Sequence, residues 1–339
     1  MKKNNRIKTV LLLVALSVLN FRSRRNIEYL IVTSPSLIEA AVQVKDFHEP
    51  TMTVEIVEWI NTDPEQGVIE LDKFVDRFHS QNEALKYILI LGSRSMIPSY
   101  EMVESFRVDP YTGGASDFWT DRPFAETQIG KKPIIIGRLP LRNRSQFQAY
   151  AENAYADNPS NPEDRSILFW GDDPEIDYAR RRDIALAERL GFKTTLIVSG
   201  SEETILKHLQ DPNLVASFYY GHGTWLMNGH LVSRTAFPQL TSSALYFSSG
   251  CGFGASTDEH VSVSESYITH VGQTAIGATE NGGYGPDYDF VPHVLNGLNT
   301  AETVGELVFE ALDKMPKETE QERGAQLRMT IFGDPALPL

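Results

Sequence analysis

The chain contains one cysteine, Cys251, set in Gly250-Cys251-Gly252 at the end of the apolar run Ala244–Ser249. A second apolar run, Leu214–Tyr220, ends in Gly221-His222-Gly223. A thiol attacks a carbonyl carbon as its thiolate, so it needs a base or a positive field beside it. An imidazole can take the thiol proton and later return it to a leaving amine. The oxyanion formed on the way needs donors, and the backbone N–H groups of Gly223 and Cys251 are candidates for that role. Either residue alone has a plainer reading: free cysteine is commonly a small buried hydrophobe, and a loop histidine needs no function. Their joint occurrence at two glycine-flanked strand ends points to a cysteine nucleophile with a histidine partner.

Such a pair needs a scaffold that places both runs side by side. Short apolar runs bounded by turn residues read as buried parallel strands, and open α/β sheets carry their chemistry just beyond the carboxyl ends of strands. A first series gives strands at Asn26–Ser34, Thr53–Ile60, Ala84–Gly92 and Pro133–Pro140, with helices at Pro35–His48, Val68–His79 and Ser145–Ala156. Residues 93–132 show no clear periodicity and are expected to be mostly loop. After the polar, proline-containing stretch Asp157–Asp164, a second series gives strands at Ser166–Gly171 and Lys193–Val198, then the histidine and cysteine strands, then Gln273–Thr279. Helices are expected at Ile176–Leu190, from a Ser199/Glu202 capping box to Gln210, and at His260–Val271, Asp289–Leu298, Ala301–Met315 and Gln321–Thr330. The fold class is therefore α/β, with mainly parallel sheets flanked by helices in two consecutive subdomains, residues 26–160 and 161–339.

Composition narrows the function classes. At 339 residues with 41% apolar content, the chain has ample core for a large α/β protein. The first 25 residues hold seven of the 31 bases and no acid, which leaves 24 bases against 45 acids. A body that acidic argues against nucleic-acid binding. The basic start, the apolar run Thr9–Leu19 and Ala15-Leu16-Ser17 resemble a secretory signal, so residues 1–25 read as a leader and the protein as secreted or envelope-associated. That run is too short to span a bilayer, and no other segment is long and apolar enough. A single cysteine rules out an internal disulfide and a cysteine-based structural zinc site. His230, His260, His270 and His293 stand in no zinc spacing with one another or with Cys251. His48, His79 and His208 fall on helices as surface or satisfied packing residues. No metal or cofactor is expected for the chemistry. Gly250, Gly252 and Ala255 also form G-x-G-x-x-A after a strand, the pattern of a dinucleotide turn; it lies deep in the chain, and Glu280 is late for the ribose acid.

The order His-Gly then Cys-Gly on successive strands resembles the caspase-like cysteine peptidases, and more closely the gingipain-type peptidases. The likeness covers most of residues 85–339. It rests on Leu89–Tyr100, Ser116-Asp117-Phe118, Ile136-Gly137-Arg138-Leu139-Pro140, Tyr219–Gly223, Ser248–Gly254, Ala275–Thr279 and the terminal Phe332-Gly333-Asp334-Pro335. The caspase-type Gln-Ala-Cys signature is absent.

The resemblance implies an endopeptidase acting on proteins or peptides, with Cys251 as nucleophile and His222 as general acid and base. It implies an acid after the strand Ser166–Gly171 to orient the imidazole, at Asp172 or Asp173. It implies a further acid for a basic substrate residue preceding the cut, nearest at Asp177 and next at Asp183, with Tyr220, Trp225 and Tyr284 as pocket residues. Structural calcium is common in such relatives, and the acidic loops here would permit it, although no EF-hand spacing is present. A non-catalytic or partner-activated peptidase-like module that binds proteins is the alternative.

Overall fold

The computed structural model describes residues 26–60, 64–108, 115–126, 133–156, 164–224, 226–228, 231–237, 244–254, 261–271, 274–279 and 286–339. The leader expected at residues 1–25 lies outside them. The strands are β1 (Tyr29–Thr33), β2 (Val54–Glu58), β3 (Tyr87–Leu91), β4 (Tyr100–Val108), β5 (Ala115–Thr120), β6 (Ile135–Leu139) and β7 (Ser166–Gly171). They continue with β8 (Lys193–Val198), β9 (Leu214–Tyr219), β10 (Met227–Asn228), β11 (Val232–Ser233), β12 (Leu245–Ser248), β13 (Ala275–Ala278) and β14 (Met329–Phe332).

The most apolar runs, β1, β3 and β7, are buried along almost their whole length. A strand apolar on both faces needs cover on both, which is the setting of a parallel sheet. The mixed runs β2 and β8 lie at the two edges of a ten-stranded sheet of order β2-β1-β3-β6-β14-β13-β12-β9-β7-β8. Polar and charged residues suit an edge, where they discourage pairing with another chain.

Neighbours in this sheet pair parallel except β13 and β14. The last strand, β14, thus joins the strands of both sequence halves into one sheet. It also reverses its sense: β7, β8, β9, β12 and β13 end at one rim, and β1, β2, β3 and β6 at the other.

The register of the strands that end at the first rim is set by rings on both faces. Phe169, Phe218 and Phe247 are directly opposite one another on β7, β9 and β12 and stack at 5.4 and 4.8 Å. On the opposite face Trp170 packs on Tyr219 at 4.7 Å and on Tyr246 at 6.0 Å. A slip of one residue would exchange the two faces and break both sets.

Three expectations are corrected. The stretch 93–132 contains an antiparallel hairpin, β4 with β5, and it is tied to the rest of the protein by Thr120 Oγ1–H to the Leu327 carbonyl and Thr279 Oγ1–H to the Trp119 carbonyl. These are long-range bonds with no local signature. The helix Glu202–Leu209 is capped by Ser201, whose hydroxyl accepts from the Thr204 N–H, while Ser199 turns the chain at φ +54°. Finally, Gln321–Thr330 is not one helix: Glu320–Arg328 is helical, and Met329 already belongs to β14.

Two buried charged groups close the fold. Arg138 in β6 clasps Asp121 through Nε and Nη2, at 2.6 and 2.8 Å, and donates to the carbonyls of Gly92 and Ile97. Asp334 is fully buried. It accepts from Tyr29 OH at 2.7 Å, Tyr155 OH at 2.9 Å and the Ala336 N–H at 2.9 Å, and faces His48 Nε2 at 2.7 Å. Burial alone would raise the Asp334 pKa; His48 and these hydrogen bonds outweigh it and hold the carboxyl below its ordinary value. Stability contributed by such a carboxylate is present above about pH 4 and drains as pH falls through the lowered value. Asp334→Ala is therefore expected to cost about 3–5 kcal/mol at neutral pH. Denaturant unfolding should also show wild type losing stability more steeply than the variant below about pH 4.

Candidate active site

Tyr219 of β9 lies directly opposite Ser248 of β12. The pairing extends one step further, with the Ser249 N–H donating to the Tyr219 carbonyl at 3.2 Å. From these partners the two chains advance equally beyond the rim, one to His222 and the other to Cys251. Their backbones meet there. A Cβ added to Gly223 would stand 2.8 Å from the Cys251 carbonyl oxygen and 2.9 Å from Gly250 Cα, distances that no side chain tolerates. Gly252 takes φ +64° immediately after Cys251, a left-handed conformation that glycine enters without penalty. The Gly250 and Gly252 of the dinucleotide-like pattern are thus accounted for by loop contact and a tight turn.

A buried polar chain locks the two turns together. Gly223 bridges to Asn228, which has no solvent exposure. Asn228 Oδ1 accepts from Ser248 Oγ at 3.2 Å, Ser248 Oγ accepts from the Gly250 N–H at 3.1 Å, and Asn228 Nδ2 donates to Tyr246 OH. In the same hairpin the Thr224 N–H donates to the Met227 carbonyl. Successive N–H groups of an extended chain point to opposite sides, so that of Gly223 turns away from the hairpin.

The imidazole is solvent-facing, with its side chain 68% exposed, and its Nε2 lies 3.5 Å from Oδ2 of the buried Asp173. Asp173 is held by its other oxygen, which accepts from the Glu175 N–H at 2.8 Å as the cap of the short turn Pro174–Ile176. Cys251 is half-buried. A thiol, an imidazole and an acid therefore converge on one rim from β12, β9 and β7.

The sequence profile of peptidase family C25 matches residues 22–339. The chain belongs to peptidase family C25. It is accordingly a cysteine peptidase, and the mixed α/β architecture is that of solved relatives. The Arg-specific cysteine proteinase gingipain R is 15% identical, with a TM-score of 0.71, over 94% of this chain and 79% of that one. The complex of the Porphyromonas gingivalis RgpB pro- and mature domains is likewise 15% identical, with a TM-score of 0.71, over 92% and 79%. The Saccharomyces cerevisiae separase–securin complex is more distant, at 15% identity and TM-score 0.52, over 74% of this chain but 16% of that one. At these identities the shared property is the fold. A search of curated protein sequences gives no match.

Within this C25 chain the expected site residues are placed unevenly. The turns that carry His222, Gly223 and Cys251 come together. Of the two acids, Asp173 faces the imidazole, whereas Asp172 lies 3.5 Å from Tyr219 OH. The Asp-Pro pair was the available signal, because aspartate before proline caps a turn and so fixes its own carboxylate. Tyr220 is fully buried rather than a pocket wall: its hydroxyl donates to Asp183 at 2.6 Å and its ring stacks on Tyr288 at 5.7 Å. Strand alternation sends it to the face opposite Tyr219.

Asp183 is sealed beneath Tyr220 and carries Arg182. Asp177 is paired with Arg180 and Arg181, whose hydrogen bonds hold its carboxyl below the ordinary value. Neither acid offers an unmatched charge to a substrate. Trp225 and Tyr284 lie outside the described residues. Among the described residues no group of three or more histidine, cysteine or acidic side chains could hold a metal ion. Sequence reading missed Asn228 and Ser248, which have no local signature. Gly223→Ala must part the two turns, and is expected to cost about 1–3 kcal/mol in denaturant unfolding.

Proposed function

We propose that this C25 peptidase cleaves proteins internally, with Cys251 as nucleophile, His222 as general base and acid, and Asp173 as the group that orients the imidazole. The observation that carries this reading is the backbone contact between the His222-Gly223 and Gly250-Cys251 turns, with Asp173 3.5 Å from the imidazole. His222 takes the thiol proton and sulfur bonds to the scissile carbonyl carbon. The N–H groups of Gly223 and Cys251 receive the oxyanion. As the carbon–nitrogen bond breaks, the imidazolium gives its proton to the departing amine. Water then attacks the thioester, His222 accepts the water proton, and release of the acid product restores the thiol. The cycle uses no cofactor.

The resemblance favours cutting after a basic residue. The acid counted on for that is Asp177, which is already matched by two arginines. A peptide library is therefore expected to show no strict arginine or lysine requirement before the cut.

Export is proposed from the basic, apolar start at residues 1–19. Among the described residues no helix is long and apolar enough to cross a membrane. The protein-binding alternative has no specific observation in its favour.

Three substitutions test the assignment. Cys251→Ala is expected to abolish hydrolysis of fluorescent casein while leaving the unfolding transition intact; undiminished hydrolysis overturns the nucleophile. His222→Ala is expected to lower kcat about 10²–10⁴-fold. Asp173→Asn should lower kcat more than Asp172→Asn, and the reverse ranking would assign the orienting role to Asp172.

A further inference from the structure

Tyr219, the last residue of β9, touches all three segments that form the rim. Its hydroxyl donates to the His222 carbonyl, inside the histidine turn, and lies 3.5 Å from Asp172 Oδ1 on the acid-bearing loop. A phenol has one proton, and the His222 carbonyl is much the nearer acceptor. Its ring lies under the glycines of both turns. A Cβ on Gly221 would stand 2.6 Å from the hydroxyl oxygen, and one on Gly250 would stand 3.1 Å from Cε1. Its own carbonyl accepts from the Ser249 N–H at 3.2 Å and Ser249 Oγ at 2.9 Å, just before the cysteine turn.

We propose that Tyr219 is the positioning residue of this site, a buried floor whose hydroxyl holds the His222 backbone in the conformation that brings the imidazole to Asp173 at the rim shared with Cys251. It touches no reacting atom and acts through His222; the proposal rests on the cysteine–histidine reading given above. Three features suit the residue to this task. The ring is 2% exposed and wedged against Trp170, so it has little rotamer freedom. Burial, and then the nearby Asp172 charge, raise the phenol pKa far above its ordinary value, so the hydroxyl stays a donor over any working range. The imidazole itself is largely exposed, so packing around the ring does little to direct it, and a fixed His222 backbone narrows the positions from which Asp173 can hold it.

Tyr219→Phe removes the hydroxyl and keeps the floor. With fluorescent casein as substrate, kcat is expected to fall about 10- to 100-fold, the range for a small misplacement of a catalytic group. KM should stay within about twofold, because an interaction felt only in the transition state is lost. Unfolding should remain cooperative, and iodoacetamide should still label Cys251. Adding Tyr219→Phe to Asp173→Asn should cost little more than Asp173→Asn alone, since both act on the same imidazole. Wild-type kcat in Tyr219→Phe, or losses that multiply in the double variant, would overturn the proposal. If Tyr219→Phe does not fold, Gly221→Ala takes its place. Its methyl would stand 2.6 Å from the hydroxyl oxygen and 2.7 Å from Asp172 Oδ1 on a backbone at φ +157°, so its kcat loss at constant KM is read against Asp172→Asn, which should not share it, and full kcat would refute the role. Failure of the underlying reading looks different: wild-type protein would then show no iodoacetamide-sensitive hydrolysis.

Discussion

The parallel, in-register pairing of β9 with β12 is the constraint on which the rest depends. With Tyr219 opposite Ser248, equal advances along both chains bring His222 and Cys251 to one rim. The register is held from both faces, by the phenylalanine stack on one side and by Trp170, Tyr219 and Tyr246 on the other. A side-chain period of two makes a slip costly, since it would move every ring to the wrong face. The glycines come next in the chain of causes: once the strands are set, the turns lie so close that only hydrogen fits at Gly223.

Electrostatics follow the same geometry. The chain as a whole is strongly acidic, yet among the described residues three acids near the rim are already partnered. Asp173 caps a turn and faces His222, Asp183 accepts from Tyr220 and Arg182, and Asp177 carries two arginines. Net charge therefore describes the outer surface and its solubility, and says little about the field at the thiol. A buried carboxylate persists only where hydrogen bonds or a cation compensate its lost hydration. These compensations leave Asp173, Asp177 and Asp183 no spare charge for a cationic substrate group.

How much was legible follows from the range of each signal. The strands β1, β3, β7 and β9 were readable because burial on both faces leaves continuous apolar runs. The helices were readable within a few residues of their ends. The hairpin β4–β5 was not, because its anchors, Thr279 to Trp119 and Thr120 to Leu327, come from distant parts of the chain. Nor was β14: four residues after a helix have too short a pattern to declare a strand, still less one at the centre of a sheet. The choice between Asp172 and Asp173 turned on a proline whose capping meaning is clear only with the turn in view. Tyr220 was misplaced because adjacent tyrosines on a strand point to opposite faces, and one chain does not say which face is closed.

By itself the sequence determined the α/β class, the pair of glycine-flanked reactive residues and the strands that carry them, because apolar periodicity and turn chemistry are local properties. The tertiary structure alone decided which acid meets the imidazole, that Tyr219 lies beneath both turns, and that the final strand fuses two half-sheets. Those outcomes depend on contacts between residues far apart in the chain, where close packing and the cost of an uncompensated buried charge select one arrangement among many that satisfy the local pattern.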